Sequence, residues 1–310
     1  MTRRARLSKY SRRTSSGGRR GGKAVIIIFA VIAFLLLSLT VSVAVGLALG
    51  NRAQEYEDSL PPLDISVKDR YSGDKTVKAV KAGSLELGLD ASYNVSIGIT
   101  DLSVCLRDAD GFVKYKSAVA VSFEGNDRTG SRNLADEINK IHTSGGYVCA
   151  YIYSTAFKEQ DEYLREIKKT YEIALIHEAA ESGADDILLV GLDISESNLG
   201  EIEDFVSRAA ISAGESALGV LLDSEKFENY ASGVKRVSAV CDYVAVDLRR
   251  LPSNAAVAED GEETPLLYKT LDELKYFIKV YSARVVFGAG NSKLAESAAK
   301  WGVTDYQIVE

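Results

Sequence analysis

From about residue 76 onward, short apolar runs alternate with longer stretches in which apolar positions recur at threes and fours. The runs are 76–82 (TVKAVKA), 101–106 (DLSVCL), 146–153 (GYVCAYIY) and 186–192 (DILLVGL), then 217–222 (ALGVLL), 242–247 (DYVAVD), 284–288 (RVVFG) and 304–309 (TDYQIV). Runs of this length without polar alternation predict strands buried on both faces, as in a parallel sheet. The intervening periodic stretches, 131–143, 159–182, 197–213, 267–281 and 291–301, predict helices. In 159–182 the residues Leu164, Ile167, Tyr171, Ala174, Leu175 and Glu178 form one stripe that faces inward. Gly145-Gly146 and Gly183 stand where helices end, and Ser197 and Asn291 where they begin.

Strand followed by helix, repeated, predicts parallel strands joined by helical crossovers. Eight candidate strands within 76–310 match a closed (β/α)8 barrel, whose usual size is about 250 residues. The first strand has the weakest pattern. No helix follows the eighth, so the barrel is expected to be incomplete at its C-terminal end. An open doubly wound sheet is the alternative, because periodicity does not report closure.

The first 75 residues follow different rules. Residues 24–50 carry no charge over 27 positions, and a helix of that length, roughly 40 Å, would span a hydrocarbon core. Residues 1–23 hold nine Arg or Lys and no acid. The expected organisation is a basic cytoplasmic tail (1–23), a transmembrane helix (24–50), a juxtamembrane linker (51–75) rich in Pro, Gly and charge, and an extracytoplasmic barrel domain (76–310). A cleaved leader, cut near Ala44–Gly46, is the competing reading. The basic tail next to an apolar segment points to the membrane as partner rather than to nucleic acid. Without the tail the chain holds 28 basic against 44 acidic residues, a net charge of −16.

The remaining chemistry is sparse. Three cysteines, Cys105, Cys149 and Cys241, sit in or beside apolar runs without metal-ligand spacing and read as small buried hydrophobes. Two histidines, His142 and His177, both fall in helical patterns, which leaves little for a metal site or a His-based triad. No P-loop, nucleophile elbow or His-Glu metal motif occurs, so neither cofactor nor metal is expected. "RDADGFVKY" (107–115) lacks the later ligands of a calcium loop. "FGAGNSKLAES" (287–297) offers free N–H groups to an anion, though a tight turn with a helix cap is the better account of a bare G-x-G.

In such barrels the active site lies where the strands end at their C-terminal side. Asp193, Asp223 and Asp247 follow three consecutive strands and are the candidate acids, since glycosidic hydrolysis requires one carboxylic acid and one carboxylate. Asp108, Tyr151, Lys158, Glu225 and Arg249 are the candidate substrate-binding residues at the same end. Tyr151, Tyr153 and Phe157 are candidates for stacking on sugar rings.

Several segments resemble a family of bacterial glycoside hydrolases with a TIM-barrel domain, commonly membrane-anchored or exported. "LSVCLRDADGFVKYKS" is similar through Asp108, Gly111 and Tyr115, and "GGYVCAYIYSTAFKE", "YEIALIHEAAESGADDILL" and "CDYVAVDLRRLP" resemble its next segments. The likeness covers about 100–252. The resemblance implies a carbohydrate-active barrel without cofactor. It also sets Val190 where the family has a fourth-strand Asp, Asp193 at an Arg, Cys105 at a second-strand Asp and Tyr151 at a third-strand Arg. A valine cannot transfer a proton. Two functions are therefore expected to compete: a divergent hydrolase acting on cell-envelope polysaccharide, and a non-catalytic barrel that binds glycan or a protein partner.

Overall fold

The computed structural model describes residues 76–83, 99–125, 128–229, 231–258 and 264–310. The basic tail, the apolar segment 24–50 and the linker lie outside the described residues. Eight parallel strands close into one barrel in sequence order. They are β1 (Lys78–Lys81), β2 (Asp101–Arg107), β3 (Tyr147–Tyr153), β4 (Asp186–Val190), β5 (Ala217–Asp223), β6 (Tyr243–Asp247), β7 (Arg284–Gly288) and β8 (Tyr306–Val309). Closure is made by β8 against β1, with Lys78 opposite Tyr306 and Ala79 opposite Gln307, which removes the open-sheet alternative. The short first strand is paired on both sides and so completes the ring.

The described helices are α1 (Ala118–Phe123), α2 (Leu134–Thr143), α3 (Glu162–Glu181), α4 (Leu199–Ser212), α5 (Ser224–Asn229), α6 (Ala231–Ser238), α7 (Leu266–Tyr281) and α8 (Ser292–Lys300). The short α1, α5 and α6 carry too few turns to show a period, and the sequence pattern missed them. Helices α2 and α3 are followed by Gly145 and Gly183 at φ +77° and +99°, a left-handed conformation in which a Cβ would be strained. At α4 the N-cap is Asn198 rather than Ser197. Its side chain bridges the turn by accepting from the Ser195 N–H (2.8 Å) and donating to the Asp193 carbonyl (2.8 Å).

Among the described residues no helix is long and apolar enough to cross a membrane. This corrects the expected single-pass membrane localisation, whose basis, residues 24–50, falls outside them. The longest described helix, α3, shows the physical reason: eight of its 20 residues are charged, and each charge would be costly in hydrocarbon.

Alternation along each strand sorts side chains between two cores. In β5, Leu218, Val220 and Leu222 pack outward beneath the helices, together with Val244 and Val246 of β6 and Val285 and Phe287 of β7. Facing inward are Tyr151, Leu188, Val190, Leu221, Ala245, Val286 and Val309, with Cys105 and Tyr153 against them. The barrel is filled rather than hollow.

The lumen floor, at the N-terminal ends of the strands, is polar, and its central pair is buried. Arg284 and Asp186 are both 0% exposed and pair at 3.0 Å. Arg284 also donates to the Tyr243 hydroxyl (2.9 Å), Gln307 Oε1 (3.1 Å) and Asp305 (3.1 Å). The other Asp186 oxygen accepts from Tyr243 (3.2 Å), and Gln307 donates to Ser103 (2.8 Å). The Tyr243 ring lies across Gly219, where a Cβ would stand 2.1 Å from the ring carbon Cζ. Only glycine fits there.

Candidate functional site

The C-terminal ends of β1, β2 and β3 enclose a cleft of about 210 Å3 lined by Lys81, Val104, Cys105, Lys114, Tyr151 and Glu310, among others. Inward alternation places Lys81 at the tip of β1 and Cys105 and Tyr151 side by side in register on β2 and β3. Lys81 Nζ meets a Glu310 carboxylate oxygen at 2.5 Å. The main chain of Glu310 is held from two sides: its N–H donates to the Tyr151 hydroxyl (3.3 Å), and its carbonyl oxygen accepts from Tyr153 (2.9 Å). Burial pushes the Cys105 thiol up to about 12, against a hydrogen bond with Tyr151 and with the Glu310 charge adding to the rise. A thiol this basic stays protonated at neutral pH and is no nucleophile.

Asp247 and Arg249 are brought together by the turn that leaves β6. Arg249 grips both carboxylate oxygens of Asp247 (Nε to Oδ1 2.9 Å, Nη2 to Oδ2 2.7 Å). Its remaining Nη1 donates to the Tyr153 hydroxyl at 2.6 Å, and the guanidinium lies 5.7 Å from the centre of the Tyr153 ring. Burial raises the Tyr153 phenol, and the charge on Arg249 pulls the other way without cancelling it.

Asp223 stands opposite Asp247 in the β5–β6 register. Their strand neighbours Leu221 and Ala245 both point into the lumen, so the two carboxylates rise side by side at the mouth. Asp223 accepts from the Glu225 N–H (3.1 Å) at the start of α5 and lies 3.5 Å from Arg250. Two successive arginines thus face two adjacent acids.

The other predicted residues are dispersed. Asp193 is 90% exposed on the loop after β4, with Lys226 at 3.8 Å. Gly191, at φ +90°, turns the chain after Val190 and carries that aspartate out of line with the lumen. Asp108 closes the turn after β2 by accepting from Phe112 (2.9 Å) and Asp110 (3.1 Å), and it pairs with Lys114 at 2.5 Å. Its partial burial would raise the carboxyl, but Lys114 and the two N–H groups outweigh that and hold it below the usual range. Lys158, in the one-turn helix after β3, and Glu225 are exposed. Tyr151 is fully buried, and Phe157, half-buried, packs on Phe205 at 5.5 Å, which leaves Tyr153, also half-buried, as the aromatic of the three bonded to Arg249.

Of the positions singled out by the family resemblance, Cys105, Tyr151 and Val190 face the lumen, Cys105 and Tyr151 as part of the cleft lining. The acids stand above them, at the rim. Lys81, Lys114, Arg250 and Glu310 were not picked out as site residues. Lys81 lies near the end of the first strand run and Glu310 directly follows the last, and that position was their available signal. A further buried pair, Arg107–Glu172 (2.8 Å), sits behind the mouth. Glu172 also accepts from Ser154 Oγ (2.6 Å) and the Thr155 N–H (2.6 Å), which fixes the loop after β3. A register shift between Cys105 and Arg107 turns Arg107 toward α3, the usual use of such a bulge. Among the described residues no cluster of His, Cys, Asp or Glu could hold a metal ion.

No protein-family model and no curated protein matches the sequence. Solved structures do match in shape. One of a GH113 beta-1,4-mannanase superposes with a TM-score of 0.52 at 11% identity, covering 76% of this chain and 88% of that one. A GH113 beta-1,4-mannanase complex gives 0.51 at 10% identity with the same coverage. At such identities the likeness is one of fold. The chain shares the eight-stranded parallel barrel of these hydrolases.

Proposed function

We propose that the barrel mouth recognises a polysaccharide and that Asp223 and Asp247 hydrolyse glycosidic bonds within it. The observation that carries this reading is the in-register pair of carboxylates on adjacent strand ends, both directed at the mouth. One would protonate the leaving oxygen while the other attacks the anomeric carbon or activates water. Tyr153, half-buried at the rim, supplies an aromatic edge, and Arg249 and Arg250 supply donors for sugar hydroxyls. The fold shared with beta-1,4-mannanases supports a carbohydrate ligand, and β-1,4-linked mannan is the first substrate to try. Asp193, exposed and off the lumen axis, is assigned a peripheral contact.

A second reading, a non-catalytic glycan-binding barrel, is favoured by one specific feature. Arg249 occupies both oxygens of Asp247, the lone pairs that attack or water activation would use. The test is release of reducing ends from mannan and from bacterial wall polysaccharides by the purified chain, alongside Asp223→Asn and Asp247→Asn. Loss of about 10²-fold or more in either variant is expected for an acid–base pair. Equal turnover in all three proteins removes both residues from the mechanism, and binding without turnover selects the second reading.

A further inference from the structure

A groove on the outer surface of the barrel plays no part in the carbohydrate reading. It encloses about 350 Å3 between α7 and α8, lined by Leu271, Lys275, Ile278 and Lys279 of α7 and by residues 301–303, which lead from α8 to β8. Those residues precede the start of β8, so the groove lies toward the floor end of the barrel, away from the mouth. Its volume falls within the usual range for ligand sites, about 300–1,000 Å3. Leu271 and Val303 are buried and form its base, while Trp301, 44% exposed and stacked on Tyr268 at 5.2 Å, stands at its edge.

The polar side-chain groups of the lining are all donors: two ammonium groups and the Trp301 indole N–H. Carbonyls at the adjoining helix ends are already occupied, that of Ile278 by the Ala283 N–H and that of Ala298 by the N–H groups of Trp301 and Val303. Among the described residues Lys279 has no hydrogen-bond or ion-pair partner, and Lys275 stands 3.7 Å from Asp272, both largely exposed. Helices α7 and α8 together carry five lysines against three acids, and none of those acids lines the groove. The net charge of −16 over residues 24–310 is screened beyond about 8–10 Å, so the nearby lysines set the local field.

We propose that this groove docks an acidic peptide segment of a protein partner, with aliphatic side chains seated on Leu271 and Val303 and carboxylates on Lys275 and Lys279. An apolar base receives side chains, as peptide-binding grooves do, and a donor-only rim receives carboxylates. A neutral sugar would find no side-chain acceptor for its hydroxyl protons, and a flat bilayer would not fill a concave base. A second copy docked through the same groove about a twofold axis would set lysine against lysine.

Trp301 is the chain's sole tryptophan, so its fluorescence reports the groove directly. The test titrates the full chain with a synthetic Glu-Glu-Leu repeat peptide and with analogues bearing lysine for glutamate or serine for leucine. Phosphatidylglycerol vesicles and soluble β-1,4-mannan oligosaccharides are titrated in parallel. Expected is a saturable change in Trp301 emission with the Glu-Glu-Leu peptide alone, weakening between about 20 and about 500 mM NaCl. Lys279→Glu should weaken that binding about fivefold or more. Lys269→Glu, exposed on α7 but outside the groove, should leave it within about twofold. Equal loss in both variants would reduce the effect to net charge and overturn the site. An equal response to either analogue, or none to the acidic peptide, overturns it as well. A response to vesicles or to mannan without one to the peptide overturns the proposal and assigns the groove to lipid or to glycan.

Discussion

The floor and the mouth of this barrel hold the same chemistry in opposite settings. At the floor Arg284 and Asp186 are sealed from water, and every polar neighbour is spoken for by Tyr243, Gln307 or Asp305. At the mouth Arg249–Asp247 and Arg250–Asp223 are partly or largely open to solvent. Burial makes the floor pair expensive to break, because either partner alone would be an uncompensated charge in low dielectric. Solvent makes the mouth pairs cheap to break and remake. One end of the lumen is built to stay closed, and the other can exchange an internal partner for a ligand.

The contrast can be broken most severely at the floor. Arg284→Met should lower unfolding free energy by about 3–5 kcal/mol in urea melts at pH 7, and a paired Asp186→Leu should recover much of that loss. A loss below about 1 kcal/mol for the single variant would mean that water reaches the floor. The thiol at the cleft tests how dry the lumen remains near its top. With its pKa at about 12, Cys105 should be alkylated at pH 8 roughly 10³-fold more slowly than a free thiol. Because the folded value lies above the unfolded one, its linkage term favours folding below the ordinary thiol pKa. That stability is lost as pH climbs from about 8.5 toward 12.

Smaller effects sharpen the same comparison. Gly219→Ala forces the Tyr243 ring away from its seat and should cost about 1–3 kcal/mol, read as a lower urea midpoint with unchanged slope. Asp247→Asn at the mouth should cost about 1 kcal/mol or less while removing turnover, so stability and activity separate at this end as they cannot at the floor. The smallest effect belongs to Asp108. Its depressed carboxyl pKa gives stability that is present above the ordinary value and lost as pH falls through the folded one. Asp108→Asn should therefore flatten the acid limb of the stability profile below about pH 4, and an unaltered limb would exclude Asp108 as a contributor.

Much of the fold was legible in the chain. The run 284–288 coincides with β7, and 217–222 falls one residue short of β5, because an uninterrupted apolar run admits little besides a strand buried on both faces. Where the run "DILLVGL" continued past Val190, Gly191 ended the strand early. Leu192 and Ile194 remain buried from a loop, so hydrophobicity alone overstated that strand. The site was less legible. Asp223 and Asp247 each ended a strand in the sequence, but their adjacency is a matter of register. The pairing of Arg249 with Asp247 and Tyr153 depends on a turn and on two strands that lie 96 residues apart.

The sequence by itself determined the alternation of strand and helix, the inward and outward faces, and a rim rich in acids, because period and polarity are local properties. Only the tertiary structure decided that the sheet closes, that Asp193 leaves the rim while Asp223 and Asp247 stand together, and that each of these two meets an arginine. Closure and charge pairing join residues far apart in the chain, and no local pattern of hydrophobicity encodes the distance between them.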